Sequence, residues 1–148
     1  MTDLLTLDPS VPREAKTLRR LESETVAWLG SNAQDGFPHA VPVWFLWHDA
    51  AVIVLTQPGS AKAKNLRADQ RALLHLEAGD DGEQLHVLQG TVELPEAPAS
   101  EWLDANGLRA AYLQKYAGGI ANLGWDEERM FADYSMVVVF RPHKLIAW

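Results

Sequence analysis

The apolar residues of the chain fall into short runs separated by turn-forming residues, and most runs have the length of a strand. Residues 50–57 form a continuous apolar run short enough to be a buried strand and not a helix. The other runs are rich in β-branched and aromatic residues, as strands usually are. The pattern predicts six strands, at residues 25–33, 38–49, 50–57, 71–78, 84–94 and 134–148.

Helical composition occurs between and beside these strands. Pro12 near a first-turn position predicts a helix over residues 12–23, and Ser100 as N-cap with Gly118 and Gly119 as a stop predicts one over residues 100–117. Shorter helices are expected after Ser60 and over residues 125–133. Six turn-linked strands with flanking helices predict a mainly β fold, a six-stranded antiparallel barrel in a single domain that spans residues 1–148.

Prolines and glycines mark irregular points in this barrel. Asp35 and Gly36 form a two-residue hairpin signal. Pro38 and Pro42 each remove a ladder donor, so their strand is expected at an edge, or bent where a ligand approaches. Pro142 is expected to interrupt the last strand, and Gly90 indicates either a close approach of another group or a β-bulge.

Composition and charge narrow the possible functions. The chain has 148 residues, 47% hydrophobic, and a formal net charge of -7, which argues against broad binding to a nucleic-acid backbone. It has no cysteine, so thiolate metal sites and disulfides are excluded. The start lacks the pattern of a signal peptide and no apolar run is as long as a membrane span, which predicts a cytoplasmic protein.

The segment TQPGSAKAKNL, residues 56–66, carries the clearest candidate chemistry. It leaves a strand, turns at Pro58 and Gly59, and sets Lys62 and Lys64 at the start of a helix, where backbone amides already favour an anion. A hydroxyl from Ser60, two ammonium groups and free amides are the parts of a phosphate site. The alternative is a solvated helix start with solubilising lysines.

Groups typical of hydrolases and metalloenzymes are missing from the sequence patterns. The five histidines show no compact ligand spacing, so no metal site is expected, and there is no nucleophile elbow or Ser/His/Asp order. No catalytic side chain is therefore predicted. Such a chain fits a protein whose bound cofactor supplies the reactivity, while the protein positions and desolvates it.

Four segments together resemble the flavin- and deazaflavin-binding split β-barrel family related to pyridoxamine phosphate oxidase. These are WLGSNAQDGFPHAVPVWFLW (28–47), SAKAKNL (60–66), LQGTVEL (88–94) and RPHKLIAW (141–148). Their order and spacing cover nearly the whole chain. Within the family the chain most resembles the short branch that uses the deazaflavin coenzyme F420 instead of FMN.

The resemblance implies which residues hold the cofactor. The phosphate would be bound by Ser60, Lys62 and Lys64, with Asn65 nearby, and the ring would lie along the backbone of the segment from Pro42 to Trp44. The complete set of implied cofactor-binding residues is Pro42, Val43, Trp44, Thr56, Gln57, Ser60, Lys62, Lys64, Asn65 and Gln89. Thr56 and Gln57 would meet the ring edge or the ribityl hydroxyls, and Gln89 beside Gly90 is a further point of close approach.

The resemblance also implies assembly and activity. It implies a homodimer with cofactors at the subunit interface, in which a partner supplies residues such as Trp125 or Trp148. The expected activity is hydride transfer from reduced F420 to an unsaturated or electron-poor small organic molecule. An FMN enzyme of the same fold and a non-catalytic flavin- or haem-binding protein are the alternatives. Lysines bind phosphate as point charges where FMN relatives often use arginine forks, which favours F420.

Overall fold

The computed structural model describes residues 5–148. This part of the chain forms five helices and seven strands, which account for every element predicted from the sequence. In chain order they are α1 (Pro12–Ser23), β1 (Ala27–Asn32), β2 (Pro38–Val43), β3 (Leu46–His48), β4 (Ala51–Thr56), α2 (Ala61–Ala68), β5 (Arg71–His75), β6 (His86–Glu93), α3 (Ala99–Ala105), α4 (Arg109–Asn122), α5 (Glu127–Asp133) and β7 (Met136–Ala147). No helix within residues 5–148 combines the length and apolar character needed to cross a membrane.

The strands form one antiparallel sheet in the order β2-β1-β5-β6-β7-β4-β3. Only Trp44 and Phe45 separate β2 from β3, the two edge strands. The facing ends of these strands therefore lie within about 11 Å of each other, since three residue steps cannot span more. The sheet must curl until its edges approach, which is the geometry of a split barrel.

The predicted count of six strands is wrong by one because the predicted strand at residues 38–49 divides into β2 and β3. Its expected position is confirmed, since both parts are edge strands. Proline at 38 and 42 is tolerated there because one side of an edge strand makes no ladder bonds.

Strand β4 is buried along its whole length because it has a core on each face. Val52 and Val54 point into the barrel core, which also contains Phe45 and Phe140. Ile53 and Leu55 point to a second core beneath α3, α4 and α5. The alternation of side chains along a strand thus explains why the sequence from Ala51 to Leu55 is apolar without interruption.

The predicted helix at residues 100–117 is wrong at both ends. Its first part is α3, whose N-cap is Pro98 and not Ser100, and Gly107 with a φ of 67° separates α3 from α4. Helix α4 continues through Gly118 and Gly119, because glycine lowers helix stability without ending a helix. The stop is Gly124, with a φ of 73°, where Gly124 and Trp125 donate to the carbonyls of residues 121 and 120 in a Schellman motif.

The β1–β2 hairpin differs from the two-residue turn that was predicted. Ala33 N–H donates to the Phe37 carbonyl, and Gly36 N–H donates to the Ala33 carbonyl. Gly36 has a φ of 88°. The connection is therefore a three-residue loop, a type I turn followed by a left-handed glycine.

The pairing of β6 with β7 explains both Gly90 and Pro142. Register shifts between Gln89 and Gly90, so that Gly90 lies opposite Pro142 and His143 is the extra residue of a bulge. A Cβ at Gly90 would lie 2.1 Å from the carbonyl oxygen of Arg141. Both readings of Gly90, bulge and close approach, are confirmed, whereas the predicted interruption at Pro142 is wrong because β7 continues through it.

The buried His86 side chain connects β6 to α1. The Thr17 hydroxyl donates to the Arg13 carbonyl and lies 2.7 Å from His86 Nδ1, so Nδ1 carries the proton of the neutral ring. His86 is 2% exposed, and its Nε2 has no hydrogen-bond partner within residues 5–148. Burial, followed by the charges of Arg20 and Lys16, lowers the pKa of His86 from 6.5 to about 4.

We expect this histidine to make the fold acid-sensitive. As the pH falls, His86 takes up a proton in the unfolded chain at a higher pH than in the folded chain. The free energy of unfolding therefore decreases as the pH falls from about 6.5 toward 4. The expected loss between pH 7 and pH 5 is about 2 kcal/mol. Urea unfolding at both pH values measures it. His86→Gln should remove this part of the pH dependence, whereas His48→Gln, at an exposed site, should retain it.

Candidate functional site

A cavity of about 420 Å³ lies where the β2 edge meets α2, α4 and α5. Its size is that of small-molecule sites. We call it the Trp44 cavity. Its lining consists of Val26, Pro42, Val43, Trp44, Leu55, Lys62, Tyr112, Leu123, Met130 and Tyr134.

Four of the residues predicted from the sequence meet in this cavity. Pro42 and Val43 end β2, Trp44 follows them in the link to β3, and Lys62 comes from the first turn of α2. They are brought together because β4, next to the edge strand β3, leads directly into the turn before α2, and the curled sheet brings that side close to β2. The structure therefore joins the segment proposed to contact a ring with one of the two lysines proposed to bind a phosphate.

Lys62 is the only charged residue among those that line the cavity in the described chain. It is half-buried, and burial lowers the pKa of its ammonium group. Within residues 5–148 no carboxylate lies within salt-bridge distance of it. A partly desolvated cation without an acidic partner favours an anionic ligand, because the anion would restore the interactions lost to water.

The start of α2 adds to this positive potential. The Ser60 hydroxyl accepts from Ala63 N–H at 3.3 Å and lies 3.2 Å from the hydroxyl of the buried Thr56. This cap satisfies the third amide of the helix and leaves those of Ala61 and Lys62 without an intrahelical acceptor. Two amides and the helix dipole therefore favour an anion at the helix start that carries Lys62.

Ser60 is thus the N-cap of α2, and the buried Thr56 hydroxyl lies against the Ser60 hydroxyl. The sequence analysis did not predict this structural role. Gln57 is exposed, and its carbonyl accepts from Ser60 N–H across the turn. These three residues lie in the connection from β4 to α2 and are not among those that line the cavity.

Lys64, Asn65 and Gln89 lie elsewhere. Lys64 is exposed, because residues two apart on a helix point about 200° from each other. Asn65 is buried and its amide donates to the Ser31 hydroxyl at 3.2 Å, tying α2 to β1. Gln89 lines a separate groove of about 580 Å³ on the sheet face, together with Gly90, His39 and other residues of β1, β2, β5 and β7.

The helical layer supplies cavity residues that the sequence analysis missed. Tyr112 on α4 is fully buried, and burial raises the pKa of its phenol, which stays neutral. Met130 of α5 and Tyr134 complete this wall. Tyr112 and Tyr116, four residues apart, were a readable signal, since this spacing puts both rings on one helix face.

The chemistry available in the cavity follows from its lining. Apolar and aromatic surfaces suit a flat, largely apolar ligand, and Lys62 with the α2 amides suits an anionic group at one end. Among the lining residues of the described chain there is no carboxylate, imidazole or hydroxyl of serine or threonine. The cavity is therefore equipped for binding and desolvation, while reactivity would come from what it binds.

Comparisons with known proteins agree on one fold. A family described as pyridoxamine 5'-phosphate oxidase matches residues 13–148. No curated protein sequence matches the chain significantly. A conserved hypothetical protein of Mycobacterium tuberculosis has 22% identity and a TM-score of 0.71, and the match covers 100% of this chain and 88% of that protein.

Two further solved structures carry functional names. A protein named F420 reductase has 18% identity and a TM-score of 0.67, covering 86% of this chain and 94% of that one. A haem storage protein of Vibrio cholerae has 15% identity and a TM-score of 0.65, covering 97% and 95%. At these identities the three likenesses establish the split-barrel fold alone.

Proposed function

The chain belongs to the pyridoxamine 5'-phosphate oxidase family, and from this premise we propose that it is an F420-dependent oxidoreductase. When bound, reduced F420 would supply a hydride to an unsaturated or electron-poor small organic molecule. The observation that carries the proposal is the Trp44 cavity, whose aromatic walls and half-buried Lys62, which has no acidic partner within residues 5–148, fit a flat ring with an anionic tail.

The residues of the chain would divide the work of binding. The segment from Pro42 to Trp44 would hold the ring. Since β2 is an edge strand, backbone polar groups on its free side make no ladder bonds and could contact the ring. Lys62 and the first amides of α2 would hold the phosphate, with Ser60 positioning those amides as N-cap. Thr56 and Gln57 lie just before α2 and would contact the ribityl chain.

The remaining predicted residues would act at greater distance in this proposal. Lys64 would add long-range charge at the entrance, and Asn65 would fix α2 through its hydrogen bond to Ser31. Gln89 would reach a cofactor only if a second copy of the chain brought its sheet-face groove to the Trp44 cavity.

Two features favour F420 over FMN. The cation in the cavity is a lysine, which binds phosphate as a point charge and gives no bidentate fork. A structural neighbour is named F420 reductase. An FMN-binding oxidoreductase of the same fold is the alternative, and a non-catalytic haem-binding protein, like the neighbour named for haem storage, is the third possibility.

Turnover experiments test the proposed activity. We expect reduced F420 to support reduction of a quinone or a conjugated enone. The reaction is monitored by the loss of the acceptor's absorbance. FMN reduced by NADPH should not support it. Turnover with reduced FMN and none with F420 would replace the proposal with its FMN alternative.

We also propose that the protein acts as a homodimer with cofactors at the subunit interface. The C-terminal indole of Trp148 is 70% exposed and Phe37 is 72% exposed, apolar surface that a second copy would cover. Trp125 packs against Tyr134 within its own subunit, so Trp148 is the better candidate for a residue given to the partner's site.

Cofactor affinity should then depend on dimerisation, because a ligand that binds only the dimer stabilises it by mass action. We expect sedimentation across a dilution series to show a dimer that persists to lower protein concentration when F420 is present. Trp148→Ala should weaken both the dimer and the binding of F420. A protein that stays monomeric at micromolar concentration and still binds cofactor fully would contradict the shared site.

A further inference from the structure

Phe45, in the two-residue link between β2 and β3, has its backbone N–H and carbonyl hydrogen-bonded to side chains of α4. Phe45 N–H donates to the Tyr116 hydroxyl at 2.7 Å. The same hydroxyl lies 2.8 Å from the carbonyl oxygens of Thr25 and Phe45, and it donates to one of them. Lys115 Nζ donates to the Phe45 carbonyl at 2.8 Å. The link is therefore fixed to the helix by side chains.

The side chain of Trp44 is fixed to the same helix. Its ring is stacked on that of Tyr116, with centroids 4.6 Å apart and planes 4° from parallel. Its outer ring lies against the backbone of Gly119, where an added Cβ would be 2.7 Å from Cζ2 and Cη2. Residues 116 and 119 are one turn apart and share a helix face.

The second glycine of the pair has no such neighbour. Nothing in the described chain lies within 4 Å of a Cβ built at Gly118. Glycine in a helix interior lowers the stability of the helix, so its presence calls for a structural explanation. The surroundings of Gly118 offer none, whereas those of Gly119 do. The close approach of Trp44 is that explanation.

We propose that Tyr116 and Gly119 are positioning residues that hold Trp44 as a wall of the Trp44 cavity and thereby set the shape of ligand the cavity accepts. Trp44 lines the cavity, whereas Tyr116 and Gly119 do not, so both act through the indole. The claim about ligand shape rests on the proposed function. The claim about the indole's position rests on the contacts alone.

A cofactor-free measurement tests the position of the indole. The protein is labelled with 5-fluorotryptophan, and the Trp44 ¹⁹F resonance is assigned by its loss in Trp44→Phe. Gly119→Ala should shift or broaden this resonance more than the other five, and Gly118→Ala should leave it unmoved. An unmoved Trp44 resonance in Gly119→Ala would overturn the proposal.

Ligand titrations test the shape of the cavity. With F420 or FMN as the probe, Gly119→Ala should bind at least about tenfold more weakly than wild type, since an overpacked wall cannot relax without cost, and Gly118→Ala should bind normally. Equal affinity of wild type and Gly119→Ala would overturn the role in ligand shape. Failure of wild type to bind either probe would instead remove the proposed function, while the ¹⁹F result would still decide the position of Trp44.

A rescue variant separates positioning from general damage to the helix. Trp44→Phe removes the outer ring that meets Gly119, so adding Gly119→Ala to it should cause no further fall in the thermal unfolding midpoint. If Gly119→Ala alone fails to fold, the double variant should fold. A double variant that unfolds at a clearly lower temperature than Trp44→Phe alone would overturn the proposal.

Discussion

Lys62→Ala is expected to weaken F420 binding about tenfold to hundredfold without unfolding the protein. The loss of one charge-assisted contact to an anion costs about 1.5–3 kcal/mol. The half-buried ammonium group lies in the cavity without an acidic partner in the described chain, so its removal breaks no ion pair of the fold. Fluorescence titration with F420, together with a thermal unfolding scan, measures both effects.

Lys64→Ala is the matched control for this prediction. It removes the same charge from the same helix at an exposed position that does not line the cavity. Only a small, salt-dependent loss of affinity is expected, because an exposed charge at this distance is largely screened. Equal losses in the two variants would show that the cavity does not distinguish the lysines, and no loss in either would remove the phosphate site.

Gly90→Ala is expected to destabilise the fold by about 3 kcal/mol or more. The new Cβ would meet the Arg141 carbonyl oxygen at 2.1 Å, and backbone cannot move aside as a flexible side chain can. The clash falls where β6 pairs with β7 across the bulge, so the central pairing of the barrel has to separate locally. Urea unfolding monitored by tryptophan fluorescence gives the change in stability.

Gly59→Ala provides the comparison, because nothing lies within 4 Å of a Cβ built there. Its stability should stay within about 0.5 kcal/mol of wild type. A Gly90→Ala variant as stable as Gly59→Ala would mean that β6 and β7 do not approach as closely at the bulge as the structure has them.

Local patterns in the sequence were enough to locate the strands and most helices. The run in β4 was readable because its first five residues are all apolar, as is typical of a strand buried on both faces. The start of α2 was readable because Pro58 and Gly59 break the chain directly before the helix. Each of these features depends on residues within a few positions of one another.

The errors come from features set by distant contacts. The division of residues 38–49 into two edge strands depends on closure of the whole sheet, and no local residue signals it. From the sequence alone Gly119 was interpreted as a helix stop, whereas in the structure it makes room for the ring of Trp44, which is distant in the chain. The grouping of Lys62 with Lys64 was an error of another kind, because helical geometry alone points residues two positions apart about 200° from each other.

The cavity was half predictable for the same reason. Trp44 and Lys62 were found because their segments carry local signals, a proline-bearing strand and a basic helix start. Tyr112 on α4, Met130 on α5 and Tyr134 just after α5 belong to a helical layer whose packing on the sheet only the tertiary structure reveals.

Identification of the bound ligand tests the central claim most directly. The protein is purified from a host that makes both F420 and FMN, its absorption spectrum is recorded, and the ligand released on denaturation is identified by mass. The proposed function predicts F420, at a much lower occupancy in Lys62→Ala purified in parallel. FMN or haem in its place, with no F420, would contradict it.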